Sequence, residues 1–148
     1  MKKTFLLAAL LISSICLNAQ VLSFSATTGD VEMDGVLTEV HNKAVIDLVS
    51  FKKDVAVTFS LSMSKIDLTL KILSPGDIYM AAQVAASTNK PFDDVVKTYQ
   101  SNKTKGWGAI AKDLGIKPGS PEFHAMKKSL KGKKGNSDKG NKGKGKKK

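Results

Sequence analysis

The final 22 residues cannot contribute to a hydrophobic core, so any fold must be built from the residues before them. From Lys127 to Lys148 the chain carries eleven lysines, five glycines, one acid (Asp138) and a single large apolar residue, Leu130. A stretch of that composition buries too little apolar surface to offset the entropy of ordering it. Residues 127–148 are therefore expected to form a disordered tail.

The first 19 residues are set apart as well. Met1-Lys2-Lys3 is a short basic segment, Thr4 to Ile15 is apolar, and Leu17-Asn18-Ala19 offers a small residue ahead of Gln20. This pattern reads as a bacterial Sec-type secretory signal over 1–19, cut after Ala19. The apolar run is short of the ~20 residues a membrane-spanning helix needs, so no transmembrane segment is expected in the mature chain. Ile15, where a lipoprotein site would have a small residue, argues against lipid attachment. Cleavage would remove Cys16, the only cysteine, and with it any disulfide, thiol nucleophile or thiolate metal site. The expected location is periplasmic or extracellular.

Charge divides the remainder unevenly. The whole chain has a net charge of +11, and all 24 of its basic residues are lysine. Residues 20–126 hold eleven lysines and twelve acids and are close to neutral, so the excess belongs to the tail. Without arginine there is no planar fork for bidentate recognition of phosphate or carboxylate. Lysines supply mobile point charges, which suit non-specific attraction to polyanions. The candidate polyanion-binding residues are Lys127, Lys128, Lys131, Lys133, Lys134, Lys139, Lys142, Lys144, Lys146, Lys147 and Lys148. The alternative is a tail that only confers solubility.

About 107 residues remain, enough for one modest domain. Residues 20–30 look like an irregular lead-in. Met33, Leu37, Val40, Ala44 and Leu48 recur at helical spacing and predict a first helix from about Val31 to Leu48. Residues 51–73 are ambiguous. Val55, Val57, Phe59 and Leu61 alternate, as do Ile66, Leu68, Leu70 and Ile72, which favours two strands joined at Ser62-Met63-Ser64. Phe51, Val55 and Phe59, and then Ile66, Leu70 and Leu73, also fit helical faces. The second half is clearer. Ser74-Pro75-Gly76-Asp77 starts a helix running to about Thr88. Pro91 opens another, with Phe92, Val95, Val96 and Tyr99 on one face. Trp107, Ile110, Ala111 and Leu114 repeat that spacing before Gly115, a left-handed stop. Ser120-Pro121 begins the last helix, whose apolar face is Phe123, Met126 and Leu130.

Lys105-Gly106-Trp107-Gly108-Ala109-Ile110-Ala111-Lys112, Leu114-Gly115-Ile116-Lys117-Pro118-Gly119-Ser120 and Glu122-Phe123-His124 resemble the C-terminal signature of a group of small secreted bacterial proteins. Pro75-Gly76-Asp77-Ile78-Tyr79-Met80 and Lys90-Pro91 are similar to that group too. The resemblance covers residues 74–127 well and 31–73 weakly, and such proteins often end in a Lys/Gly-rich tail. It implies a small helical domain and no particular function. The expected fold is therefore all-α, with about five to seven short helices over 31–126 and a disordered tail. The alternative is α+β with a hairpin at about 54–72.

Several features invite sharper claims. Ile110–Met126 has the outline of a helix-turn-helix, but its second helix lacks arginine, asparagine and glutamine for reading base edges. Sequence-specific DNA binding is not expected. His41 and His124 are the only histidines and show no metal-ligand spacing, so neither metal nor cofactor is expected. Asp93 and Asp94 fall in a first helical turn, where the helix dipole accounts for them. Trp107 has two readings: an anchor of the core, or an exposed stacking platform beside Lys103 and Lys105. Lys103, Lys105 and Trp107 are thus a candidate domain surface. Three classes of function follow. The first is a non-catalytic binding protein whose tail engages anionic polymers. The second is an envelope structural or assembly protein that docks another protein on its helical domain. The third and least supported is an enzyme, for which Asp77, Tyr79 and His124 would have to converge on a pocket.

Overall fold

Five of the seven α-helices described begin where the sequence supplies a side-chain acceptor for the free amides of a first turn. Asp30 accepts from the Glu32 and Met33 amides, Asp47 from Ser50, Ser62 from Lys65, Ser74 from Asp77 and Ser120 from Phe123. The computed structural model describes residues 24–137, with side chains described to residue 132. It comprises α1 (Val31–Ile46), α2 (Leu48–Phe59), α3 (Met63–Thr69), α4 (Pro75–Thr88), α5 (Phe92–Ser101), a 3₁₀ turn (Lys103–Lys105), α6 (Gly106–Asp113) and α7 (Pro121–Ser137). The all-α expectation is met, and no strand occurs among the described residues.

Helix α4 lies at the centre. Every residue from Gly76 to Ala85 is buried, and α1, α2, α5 and α7 pack around it. Its alanines and its Val84, Met80 and Ile78 leave no polar face, the signature of a helix enclosed on all sides. Trp107, Leu37, Ile66, Leu73, Ile110 and Met126 complete the interior, each at most 2% exposed.

Four expectations are refined. The first helix stops at Ile46, not Leu48. Asp47 donates its amide to the Lys43 carbonyl and caps α2 with its side chain, so one residue ends a helix and starts the next. The hairpin alternative at 54–72 gives way to α2 and α3. A strand face would bury Val57 with Val55 and Phe59, yet Val57 is 84% exposed while Phe51 and Val55 are buried. Likewise Leu68 is 60% exposed and Ile66 is fully buried. Ser60, left-handed at φ 54°, closes α2. Third, the boundary at Met126 is crossed: α7 runs to Ser137, and Leu130, one turn past Met126, is buried in the core. Lys139 to Lys148 and the expected signal over 1–19 lie outside the described residues.

The fourth refinement concerns the lead-in. Residues 24–30 form a strap held against α6 and α1. The Gly108 amide donates to the Thr27 carbonyl at 2.9 Å, and Thr28 donates its amide (2.9 Å) and hydroxyl (2.6 Å) to one carboxylate oxygen of Asp34. A Cβ at position 108 would stand 2.3 Å from the Thr28 carbonyl oxygen, a backbone atom that no rotamer change can move. At the other end of α6, Gly115 takes φ +112°, and the Ile116 and Gly115 amides return to the Ala111 and Lys112 carbonyls, forming a Schellman stop. Gly108→Ala is expected to cost about 1–3 kcal/mol in urea unfolding through overpacking. An unchanged midpoint would show that the strap does not press on α6.

Candidate functional site

The lysine-rich segment starts on α7, and its first turns are seated before its charges are free to act. Ser120 caps the helix and Pro121 follows with its φ pre-set. Met126 and Leu130, four residues apart, face α1 and α4 and are 2% and 1% exposed. Ser129, on the same stretch, accepts from the Gln83 side-chain amide at 3.1 Å.

Two lysines on that helix close the contact with α1. Lys127 Nζ lies 2.7 Å from Asp30 Oδ2 and 3.2 Å from Glu32 Oε2, and Lys131 Nζ lies 2.7 Å from Glu32 Oε1. Asp30 is divided between two tasks. Oδ1 accepts the Glu32 and Met33 amides of the first turn of α1, while Oδ2 accepts from Lys127. The ammonium of Lys127, and then the Met33 amide, hold the Asp30 carboxyl below its ordinary range. Lys131 and then Lys127 do the same for Glu32, and Lys127 is raised in return by Asp30 and Glu32. Lys127 and Lys131, expected among the polyanion-binding residues, are therefore engaged within the protein. Lys128 is exposed. Lys133 and Lys134 continue along α7, and the remaining lysines of the expected set lie outside the described residues.

The candidate domain surface is largely taken up internally. Trp107 is fully buried, stacks on Tyr99 at 4.3 Å and 9°, and donates its indole N–H to Asp77 at 2.9 Å. Of the two readings of Trp107 the core anchor holds and the exposed stacking platform does not, since the indole is stacked on Tyr99, bonded to Asp77 and removed from water. Lys103 sits 5.9 Å from the Tyr99 ring centroid, within cation–π range, and Lys105 reaches Asp113 at 3.5 Å.

Asp77 is the polar centre of the interior, at 7% exposure. It accepts from Trp107 through Oδ1 and from the Ser74 hydroxyl through Oδ2 at 2.7 Å, while its own amide donates to Ser74. Burial, and then the adjacent Asp77 carboxylate, push the Tyr99 phenol far above its ordinary range, so Tyr99 stays protonated. A carboxylate so saturated with donors acts as a pin between α4 and α6. Asp77, Tyr79 and His124 do not converge. Tyr79 packs edge-on to Phe59 and meets Gln83 at 3.5 Å, while His124 is exposed beside Phe123. His41 is buried against Phe24 at 5.0 Å, and its Nδ1 has no hydrogen-bond partner. Burial holds it below the ordinary histidine range, opposed by the charge of Asp77. Asp93, in the first turn of α5, pairs with Lys65 at 2.6 Å.

Among the described residues no group of three His, Cys, Asp or Glu side chains is placed to hold a metal ion, and no helix is long and apolar enough to cross a membrane. No family model, no curated protein and no solved structure matches the chain.

The ion pair has a calculable sign. Asp30 titrates lower in the folded state than in the unfolded chain, so its contribution is present above the ordinary carboxylate pKa of about 4 and is lost as pH falls through the depressed value. Asp30→Asn keeps a good helix cap and removes the charge. It is expected to lower Tm at pH 7 and to match the parent near pH 2; an equal deficit at both would show that the charge of Asp30 is not what matters. Trp107→Phe keeps a ring against Tyr99 and leaves Asp77 short of one donor. It is expected to cost roughly 1–3 kcal/mol in chemical denaturation, and a neutral result would remove the pin from the account.

Proposed function

We propose that this is a non-catalytic binding protein, secreted or periplasmic, whose polycationic C-terminal segment engages anionic polymers such as envelope phosphates, acidic polysaccharide or extracellular nucleic acid. The observation that carries the reading is the anchored base of α7. Met126, Leu130, Lys127 and Lys131 fix the helix to α1 and α4, and the lysine-rich sequence leads on from that fixed base. The division of labour is chemical. Lys127 and Lys131 hold the segment to the protein, while Lys128 and the eight lysines from Lys133 onward are the binding charges. Lysine without arginine favours recognition of charge density over recognition of a particular phosphate geometry. Binding of that kind releases counterions and weakens steeply with salt. The near-neutral charge of residues 20–126 supports the same reading, since it leaves little repulsion between the body of the protein and a polyanion held on its C-terminal segment.

The test separates the two sets of lysines. A chain ending at Gly132 keeps both anchors, and is expected to lose retention on heparin and DNA resins at low salt. The double variant Lys127→Met with Lys131→Met is expected to retain polyanion binding and to melt at a lower temperature. Undiminished retention of the shortened chain would sink the proposal.

A further inference from the structure

His41 is buried in α1 with its Nδ1 unsatisfied, and the end of the strap covers it. The Phe24 ring stacks on the imidazole at 5.0 Å and 22°. Phe24 is also seated closely on α4: a Cβ at Gly76 would stand 2.6 Å from its ring. Further along, Thr27 closes the open end of α6. The Gly108 amide donates to the Thr27 carbonyl at 2.9 Å, and the Trp107 amide to the Thr27 hydroxyl at 3.3 Å. These are first-turn amides with no partner inside their own helix, and Lys105, which precedes α6, supplies no side-chain cap. Thr28 then donates twice to Asp34, which ties the strap to α1. Residues 24–27 therefore extend from a fixed point at Thr28, with Phe24 resting on His41.

Protonation of His41 is incompatible with that cover. An imidazolium carries an N–H on both ring nitrogens, and Nδ1 has no acceptor where it lies. Burial disfavours the charged ring, opposed by the charge of Asp77 on α4. The two Asp77 oxygens already accept from Trp107 and Ser74. Strap residues 24–28 have no ionisable side chain, and one turn away on α1 stand Leu37, Thr38, Ala44 and Val45, all uncharged. α2 meets α1 around a half-open cavity of about 340 Å³ inside the Asp47 elbow. Glu39, Lys43, Asp47 and Asp54 line that cavity, and His41 is not part of its wall. α7 places Lys127 and Lys131 at Asp30 and Glu32, more than two turns of α1 from His41. Lifting Phe24 is the least disruptive way to hydrate the imidazolium, since Phe24 is only half-buried while Leu37 and Ala44 belong to the core.

We propose that residues 24–27 form a pH-operated latch: protonation of His41 lifts Phe24 from the imidazole and from Gly76, draws Thr27 off the first turn of α6, and leaves the strap hinged at Thr28. The sign follows from burial. A histidine that titrates lower when covered favours the closed strap above the ordinary value of about 6.5, and the open strap gains as pH falls through the depressed value. Linkage to one proton limits that gain to about tenfold per pH unit. The latch is independent of the lysine-rich segment, and either can fail without the other.

The test is NMR of the full chain between pH 7.5 and 5.5, reading amide hydrogen exchange corrected for its intrinsic pH dependence together with the His41 Cε1–H resonance. On acidification, protection of the Gly108 amide is expected to fall roughly threefold or more, while the Met80 amide in buried α4 keeps its protection. Unchanged protection at Gly108 overturns the proposal, and so does a parallel loss at Met80, which would be global unfolding. His41→Phe keeps a ring beneath Phe24 and removes the titrating group. Its Gly108 protection is expected to be flat across the interval; a persisting fall gives the effect to another group, such as the exposed His124, and overturns the latch. Because His41 is buried, Phe24→Ala provides a second variant at a half-buried strap position. It is expected to move the His41 midpoint up toward the ordinary value and to lower Gly108 protection already at pH 7.5. A His41 midpoint unmoved by Phe24→Ala overturns the proposal, since Phe24 would not be the cover.

Discussion

A helix that is apolar on every side can exist in water only if other elements enclose it, and α4 imposes that demand on this protein. Its ten consecutive buried residues from Gly76 to Ala85 need partners in every direction. α1, α2, α5 and α7 supply them. The short surrounding helices would be marginal alone and gain their stability from this packing. Asp77 is the one charged side chain on the buried stretch, and it is tolerated because Ser74 and Trp107 both donate to it. The pin then orients α6, and α6 in turn receives the 24–30 strap at Gly108. Burial of one helix thus propagates outward through a single satisfied carboxylate.

The same enclosure decides what the cationic segment can do. α7 covers one side of α4 with Met126 and Leu130, so the lysines between and just after them are carried to the start of α1. There Asp30 is the N-cap and Glu32 lies in the first turn of α1, where negative charge is favoured by the helix dipole. Lys127 meets a carboxylate whose other oxygen is fixed by two amides, which reduces the entropy lost in making the pair. At 25% and 20% side-chain exposure, Lys127 and Asp30 are less open to solvent screening than the Lys43–Glu39 pair at 54% and 36%. Charge near the base of α7 is therefore structural, and the proposed binding role begins with Lys128 and resumes at Lys133.

The elbow cavity follows from a local economy of chain. One residue serves as both the end of α1 and the cap of α2, so the two helices turn without a loop that could fold back and fill the space. The carboxylate needed for the cap also lines that cavity.

Much of the fold was legible in the chain itself. The starts of α4 and α7, the apolar faces of α5, α6 and α7, and the glycine stop after α6 depend on residues within about one or two turns of each other. Capping and the spacing of apolar side chains express such neighbours directly. The choice between helix and strand at 51–73 was not legible, because alternation and helical spacing coexist there. Only the burial of Phe51, Val55 and Ile66 against α4, with Val57 and Leu68 left outside, selects the helices. The pairing of Lys127 with Asp30 joins residues 97 positions apart, and that of Trp107 with Asp77 joins residues 30 apart. No local pattern encodes such contacts, and composition alone placed Lys127 and Lys131 in a solvated tail. The sequence by itself determined which segments are helical in the second half, where they start and how charge divides along the chain, since those are short-range properties. The tertiary structure alone decided which lysines are anchors, that Trp107 is buried and that a cavity lies at the elbow, since each depends on what a distant segment brings to the same place.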